Sequence, residues 1–280
     1  MKKIVVATDF SPAAHNAFLY AVNLGAHFRA EVILLHIAPV VLSDAGMGAF
    51  VRQMSPEYTA VMALEKFEQW EAEIPPELKQ KIRFRTEMKS GPTISEILRS
   101  TEELHPSMLV MGMEEEPHLG DKILGNTITS VIQRCSVPVM VVPESAKFQG
   151  IAHIAYATNF ELEDIRALDQ VLEFAHRFNA KVHCVHIRRN GDEGDRYKQE
   201  ILKRAYQPDM TMDKLDFNVL RYPEVIDGLN KYVEEHHIDL LVMLTHQRGI
   251  FGQLFHNSHA KGMVMHSKVP LWVFQMKETA

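Results

Sequence analysis

Short apolar runs alternate along the chain with longer stretches in which apolar residues recur every three or four positions. The short runs have the length of buried β-strands, and the longer stretches have the period of amphipathic helices. This alternation is typical of βα units wound around a parallel sheet. Five strands are predicted in the first half, over 3–7, 31–37, 82–89, 108–112 and 137–142. Five more are predicted in the second half, over 153–156, 181–187, 217–221, 240–244 and 269–274.

Three short signals predict where helices begin. Ser11-Pro12 offers a capping hydroxyl followed by a proline, which is favoured in the first turn of a helix. Ser55-Pro56 repeats that pair, and the segment from Thr93 to Glu96 has the spacing of a capping box. We expect these helices to connect the first four strands of the first half.

The chain contains an internal repeat. Residues 4–10 match residues 154–160 without a gap, a shift of 154 − 4 = 150 positions. A repeat of this length is a domain rather than a solenoid motif, so we predict domains at 1–146 and 151–280 with a polar boundary between them. Two further pairs of segments match at that shift, 28–32 with 178–182 and 35–37 with 185–187. The halves also end alike around a Val-Pro dipeptide, in 136–142 and 267–274.

Each domain is expected to be a doubly wound, parallel, five-stranded sheet with strand order 3-2-1-4-5. In such a sheet the order reverses between the first and fourth strands, and ligands bind in the crevice at their carboxyl ends. In the first half this places Thr8 and Asp9 beside Gly112. An aspartate there can accept hydrogen bonds from a base or ribose, or it can cap the following helix.

These residues resemble those of universal stress proteins that bind ATP. In that family a Gly follows the fourth strand, a second Gly stands three positions later, and a Gly with Ser or Thr closes the loop after nine more residues. Gly112 and Gly125 keep the outer spacing, Thr8-Asp9-Phe10-Ser11 matches the end of the family's first strand, and 31–37 looks like its second strand. The resemblance implies an adenine-nucleotide-α-hydrolase-like fold. It also implies the following nucleotide-binding residues: Thr8, Asp9, Ile37, Met111, Gly112, Gly125, Asn126 and Thr127.

The first-half loop departs from that motif in ways that weaken ATP binding. Glu115 replaces the second Gly, and Asn126 replaces the Ser or Thr. Each carboxylate of 114–116 facing a polyanion at ~4 Å costs on the order of 1 kcal/mol in water and ~4 kcal/mol at an effective dielectric near 20. Lys122 offsets only part of that repulsion. ATP is therefore retained only as a candidate cofactor of the first domain.

The second-half motif is more degenerate. Residues 244–247 contain no Gly, Asn159 replaces Asp9, and only Ser258 matches the end of the motif. Conventional ATP binding is not expected there. His246 and Arg248 are candidates for holding a smaller anion.

Composition narrows the function classes further. A net charge of −6 and a pI near 6.2 disfavour broad attachment to nucleic acid. The longest apolar runs fall far short of the ~20 residues of a membrane span. Cys135 and Cys184 lie in apolar patterns and are expected to be packed thiols, with a bridge between the halves as the alternative. No zinc-ligand quartet is apparent among the 15 histidines. No P-loop, dinucleotide fingerprint or nucleophile elbow occurs.

The two final strands, 137–142 and 269–274, would each be a sheet edge that needs covering. Universal stress proteins resemble one another in pairing these strands across a dimer, so we expect the fused halves to form an intrachain pseudo-dimer. A further homodimer would need another surface.

The resulting hypothesis is a cytoplasmic, non-catalytic stress-response protein that binds a small ligand or a protein partner. The alternative is an ATP-binding universal stress protein with weak nucleotide hydrolysis.

Overall fold

The computed structural model describes residues 1–38, 56–114, 126–161, 164–188, 195–207, 212–245 and 268–275. The first half runs β1 (Lys3–Thr8), α1 (Pro12–Phe28), β2 (Glu31–Ala38), α2 (Pro56–Ala72), α3 (Pro76–Lys79), β3 (Arg83–Ser90), α4 (Thr93–Leu104), β4 (Met108–Met113), α5 (Asn126–Arg134) and β5 (Val139–Pro143). The second half runs β6 (His153–Ala157), α6 (Asp164–Phe178), β7 (Lys181–Arg188), α7 (Asp195–Ala205), β8 (Leu215–Arg221), α8 (Val225–Glu235), β9 (Leu240–Thr245) and β10 (Leu271–Gln275).

The strands form one continuous sheet in the order β3-β2-β1-β4-β5-β10-β9-β6-β7-β8. Within each half the order is 3-2-1-4-5 and neighbouring strands are parallel, as predicted. The expectation of two five-stranded sheets needs one correction, because β5 and β10 pair antiparallel and merge them. Met140 lies opposite Trp272 at the centre of that pair. The carboxyl ends of the two sets of strands therefore lie at opposite edges of the sheet.

Two of the predicted strands begin two residues later than expected. β5 starts at Val139 rather than 137, and β10 starts at Leu271 rather than 269. A proline precedes the first paired residues in each case and has no N–H to donate. The carbonyls of Pro138 and Pro270 still accept hydrogen bonds, from the amides of Leu109 and Leu241.

The helix starts follow the predicted signals in part. Ser11 caps α1 by accepting a hydrogen bond from the Ala14 amide at 3.2 Å, and Pro12 is the first helical residue. α2 begins at Pro56, whereas Ser55 lies outside the described residues. The prediction of a capping box at the start of α4 is wrong, because the residue before the helix is Pro92 and no side chain caps the helix. The Glu96 carboxylate pairs with Arg99 instead.

Two apolar cores cover the two faces of the sheet, and both run through both halves of the chain. One core joins α1, α2 and α6 to the sheet and includes Phe18, Trp70 and Trp272. The other joins α4, α5 and α8 to the opposite face. Cys135 and Cys184 are buried free thiols in these cores, as expected, and burial raises the pKa of both.

Candidate functional site

The predicted crevice lies at the carboxyl ends of β1 and β4. The parallel register pairs Ala7 with Met111, so Thr8 and Gly112 are the next positions on adjoining strands. Met111 is buried in the sheet. α5 begins at Asn126 and follows β4, so its amino terminus lies at this same edge with its free backbone N–H groups.

The turn after β1 is held by its own polar side chains. The Thr8 hydroxyl accepts a hydrogen bond from the Phe10 amide at 2.9 Å, and Asp9 Oδ1 accepts one from the Ser11 amide at 2.9 Å. Phe10 takes the left-handed conformation, with φ of 64°. Asp9 is exposed, and its other carboxylate oxygen has no hydrogen-bond partner among the described residues. Because Ser11, and not Asp9, caps α1, the Asp9 carboxylate is available to bind a ligand.

Gly112 is required where β4 passes the start of α1. A Cβ atom at this position would lie 2.3 Å from the carbonyl carbon and oxygen of Ala13 and 2.5 Å from the Ala14 nitrogen. Backbone atoms cannot yield to such a contact without moving the helix. Gly112 therefore has a packing role, whether or not a phosphate approaches it.

The end of β2 lines the crevice on its other side. His36 Nδ1 lies 2.9 Å from the Thr8 carbonyl oxygen, and the His36 ring contacts the Phe10 ring at a centroid distance of 4.5 Å. Ile37 is buried on the opposite face. Because the Ile37 side chain belongs to that core, only its backbone is available to a ligand at the edge.

The loop that closes the crevice is only partly described. Gly125, Glu115 and Lys122 lie outside the described residues, so the spacing of the glycines has no structural test there. Thr127 follows the first residue of α5 and is partly exposed. Glu114 is exposed at the end of β4, which adds a second acid to the rim beside Asp9.

The second half repeats the turn of the first half. Phe160 has φ of 57°, and its amide donates to the Thr158 hydroxyl at 2.8 Å. His186 Nδ1 lies 2.8 Å from the Thr158 carbonyl oxygen, and the two rings of His186 and Phe160 are 4.9 Å apart. The Thr, Phe and His residues are thus a structural unit common to both halves.

In the second half, buried side chains of the protein fill the space beside this turn. The register pairs Ala157 with Met243, which places buried Leu244 where the first half has Gly112. Asp164, also buried, accepts hydrogen bonds from the hydroxyls of Tyr156 and Thr158, both at 2.7 Å. Burial and then the Asp164 carboxylate raise the pKa of Tyr156, so it stays a neutral donor. This carboxylate is engaged inside the protein.

Sequence reasoning missed two groups of polar residues in the second half. One is the buried set of Tyr156, Thr158 and Asp164, for which the only sequence signal is an acid within an apolar helix face. The other is the pair Arg188 and Arg221, the last residues of β7 and β8. The predicted strand 181–187 stops one residue before Arg188, so the sequence carried no signal that pairs these two residues. His246 and Arg248 lie outside the described residues.

Neither a membrane-spanning helix nor a metal-binding group appears in the described ranges. No helix there is long and apolar enough to cross a bilayer. Likewise, no three His, Cys, Asp or Glu side chains there are grouped so that they could hold a metal ion.

A family model described as the universal stress protein family matches residues 1–143 and again residues 150–275. A universal stress protein of Methanocaldococcus jannaschii is 28% identical over 153 residues, which are 52% of this chain and 84% of that protein. A solved universal stress protein from Archaeoglobus fulgidus has a TM-score of 0.72 at 17% identity, covering 99% of this chain and 97% of its own. An Arabidopsis thaliana protein of the family, solved with AMP bound, covers 51% of this chain and 92% of its own at 19% identity, with a TM-score of 0.35.

Proposed function

Because the chain belongs to the universal stress protein family, with two tandem copies of its domain, we propose that it is a non-catalytic stress-response protein that binds a small ligand or a protein partner. The ligand site is the crevice of the first half. The observation that carries this proposal is the exposed Asp9 carboxylate, which is oriented by the Ser11 amide and has one oxygen with no hydrogen-bond partner in the described ranges. An adenine nucleotide is the ligand class that the motif favours.

The chemistry of the crevice supports this assignment. A carboxylate beside the first strand can accept hydrogen bonds from ribose hydroxyls, and the amino terminus of α5 can receive phosphate oxygens. The Ile37 backbone is available to a base. The second half lacks the charged acceptor, because Asn159 replaces Asp9. In addition, Leu244 occupies the place of Gly112.

Electrostatics at the rim favours weak binding. Asp9 and Glu114 are both exposed acids near the place where phosphates would lie. Each pair of like charges at ~4 Å costs on the order of 1 kcal/mol in water. A bound nucleotide would therefore be held only weakly.

The test is calorimetry with ATP on the wild type, Asp9→Ala and the matched variant Asn159→Ala. Wild type is expected to bind, and Asp9→Ala to bind about tenfold more weakly or worse, because a charge-assisted hydrogen bond contributes about 1.5–3 kcal/mol. Asn159→Ala should bind like wild type. Equal losses in both variants would move the site away from the first half.

A phosphate-release assay separates this proposal from the enzyme alternative. We expect release at the level of a buffer blank for the wild type. Steady release that disappears in Asp9→Ala would establish nucleotide hydrolysis at this site and overturn the non-catalytic assignment.

A further inference from the structure

Two arginines stand side by side at the carboxyl edge of the second half. Arg188 ends β7 and Arg221 ends β8, and the parallel register places their Cα atoms opposite each other. Adjacent strands lie about 4.8 Å apart, and residues in register on parallel strands point to the same face of the sheet. Two positive charges therefore share one corner of the molecule.

Neither of these arginines is neutralised by an acid in the described part of the chain. Some other arginines there do have carboxylate partners, as Arg85 does with Glu31 and Arg204 with Glu200, whereas exposed arginines such as Arg83 have none. No carboxylate comes within ion-pair distance of Arg188 or Arg221 among the described residues. The Nε atom of Arg188 is buried and has no acceptor among the residues that the structure describes. A buried donor without an acceptor costs stability unless a ligand supplies one.

The fold itself does not require arginines at this corner. In the first half the corresponding register pair, at the ends of β2 and β3, is Ala38 and Ser90. The same turn, with its Phe and His pair, forms in both halves without them. A feature that leaves a donor unsatisfied and is absent from the sister half points to recognition rather than to folding.

The position of α7 is compatible with an anion at this corner. α7 begins at Asp195 after β7 and leads to the parallel strand β8, so the first backbone N–H groups of the helix lie at this edge. The Asp164 carboxylate is occupied by the hydroxyls of Tyr156 and Thr158 and cannot neutralise the arginines.

We propose that Arg188 and Arg221 form an anion site that binds a phosphate group. The planar guanidinium matches the oxygens of phosphate with paired hydrogen bonds, and two such groups balance a dianion. The phosphate is either the free inorganic ion or part of a small phosphorylated molecule. This site is separate from the first-half crevice and does not depend on Asp9.

The experiment is thermal unfolding of the full chain in phosphate-free buffer and with increasing inorganic phosphate at constant ionic strength. A ligand that binds only the folded state stabilises it by RT ln(1 + L/Kd), where L is the free ligand concentration, so the unfolding temperature rises with the ligand concentration. Phosphate should stabilise the wild type, and Arg188→Gln or Arg221→Gln should weaken its affinity about tenfold or more. The matched control is Arg83→Gln, which removes an exposed strand arginine in the first half. It should keep the full phosphate effect.

The phosphate-free measurement distinguishes a ligand site from a structural role. Removing Arg188 relieves the repulsion from Arg221 and removes the unsatisfied Nε, so Arg188→Gln should be as stable as the wild type or more stable. A clear loss of stability would mean that Arg188 has a partner inside the protein and would overturn the proposal. The proposal would also be overturned if phosphate did not stabilise the wild type, or if Arg83→Gln reduced the phosphate effect as much as the other two variants.

Ribose 5-phosphate, with ribose as its control, separates the two sources of the phosphate group. A stronger effect than that of inorganic phosphate identifies a phosphorylated small molecule, and an equal effect identifies the free ion. Asp9→Ala should respond to inorganic phosphate like the wild type. If it loses the response, the anion lies in the first-half crevice and the second site does not exist.

Discussion

His183 is the centre of a buried polar network near the amino ends of β6, β7 and β8. Its ring nitrogens lie 3.1 Å from His153 Nδ1, 3.1 Å from the Tyr232 hydroxyl and 3.2 Å from Asp216 Oδ1. Burial by itself would raise the pKa of Asp216, but hydrogen bonds from His183, and then from Lys181 and Asn218, lower it on balance. Asp216 is therefore stabilised as a carboxylate by the folded state.

This network predicts a pH-dependent contribution to stability. A carboxylate with a lowered pKa in the folded state stabilises the fold above its unfolded pKa of about 3.9, and the contribution is lost as the pH falls through the folded pKa. Asp216→Asn should cost about 1 kcal/mol at pH 7, a value discounted for solvent screening because the side chain is 36% exposed. The difference from the wild type should shrink below about pH 4.

Urea unfolding of the wild type and Asp216→Asn at neutral and acidic pH measures that difference. Asp213→Asn is the matched control, because its side chain also pairs with Lys181 but is 85% exposed. Its effect should be small at every pH. A constant gap between Asp216→Asn and the wild type across the pH range would contradict the prediction.

At the scale of elements, the starts of α1 and α4 differ in how they are capped. The Ser11 hydroxyl accepts a hydrogen bond from an amide of the first turn of α1. Thr93 is already inside α4, and Pro92, the residue at its cap position, has no side-chain oxygen. Two similar sequence signals thus have different structural outcomes, since the backbone path decides which residue occupies the cap.

Ser11→Ala and Thr93→Ala are a matched pair that tests this difference. Loss of a serine cap costs about 1 kcal/mol, so Ser11→Ala should lower the free energy of unfolding by that amount. Thr93→Ala removes no capping hydrogen bond and should change it by no more than a few tenths of a kcal/mol. Denaturant unfolding of both variants gives the comparison. A larger loss in Thr93→Ala would show that a capping box forms at α4 in solution.

For the whole molecule, the antiparallel pairing of β5 with β10 joins two similar halves into one sheet. Val141 lies opposite Leu271, Val139 lies opposite Val273, and all four side chains are buried. Because each half supplies the edge that the other needs, neither β5 nor β10 is left as an exposed strand. The halves are therefore joined by backbone hydrogen bonds and by continuous cores on both faces.

The predicted consequence is that residues 1–146 are not a stable monomer when produced alone. Their β5 edge would be an unpaired apolar strand, which favours pairing with another copy or aggregation. Light scattering of this fragment beside the full chain should show a dimer or larger species. A monodisperse monomer of the fragment would contradict the prediction, as would rapid amide exchange of Val139 and Val141 in the full chain.

Local sequence patterns were sufficient to predict the number of strands, their approximate bounds and the repeat, whereas the strand order was an expectation for a doubly wound sheet. These features follow from local periodicity and from a 150-residue shift (154 − 4), which are visible without knowing which distant residues meet. The positions of Thr8 and Gly112 at one crevice followed from that strand order, and Met111 was implied by the family resemblance. The domain limits at 1–146 and 151–280 and the ligand roles of the crevice residues stay predictions.

Which of those residues are free to act depends on tertiary contacts. Gly112 is needed against Ala13, Asp164 is engaged by Tyr156, and Arg188 lies beside Arg221, with neither arginine ion-paired in the part of the chain that the structure describes. Each of these facts depends on contacts between segments far apart in the chain. Crowding, hydrogen-bond satisfaction and charge balance are properties of such contacts, so periodicity and motif spacing carry no information about them.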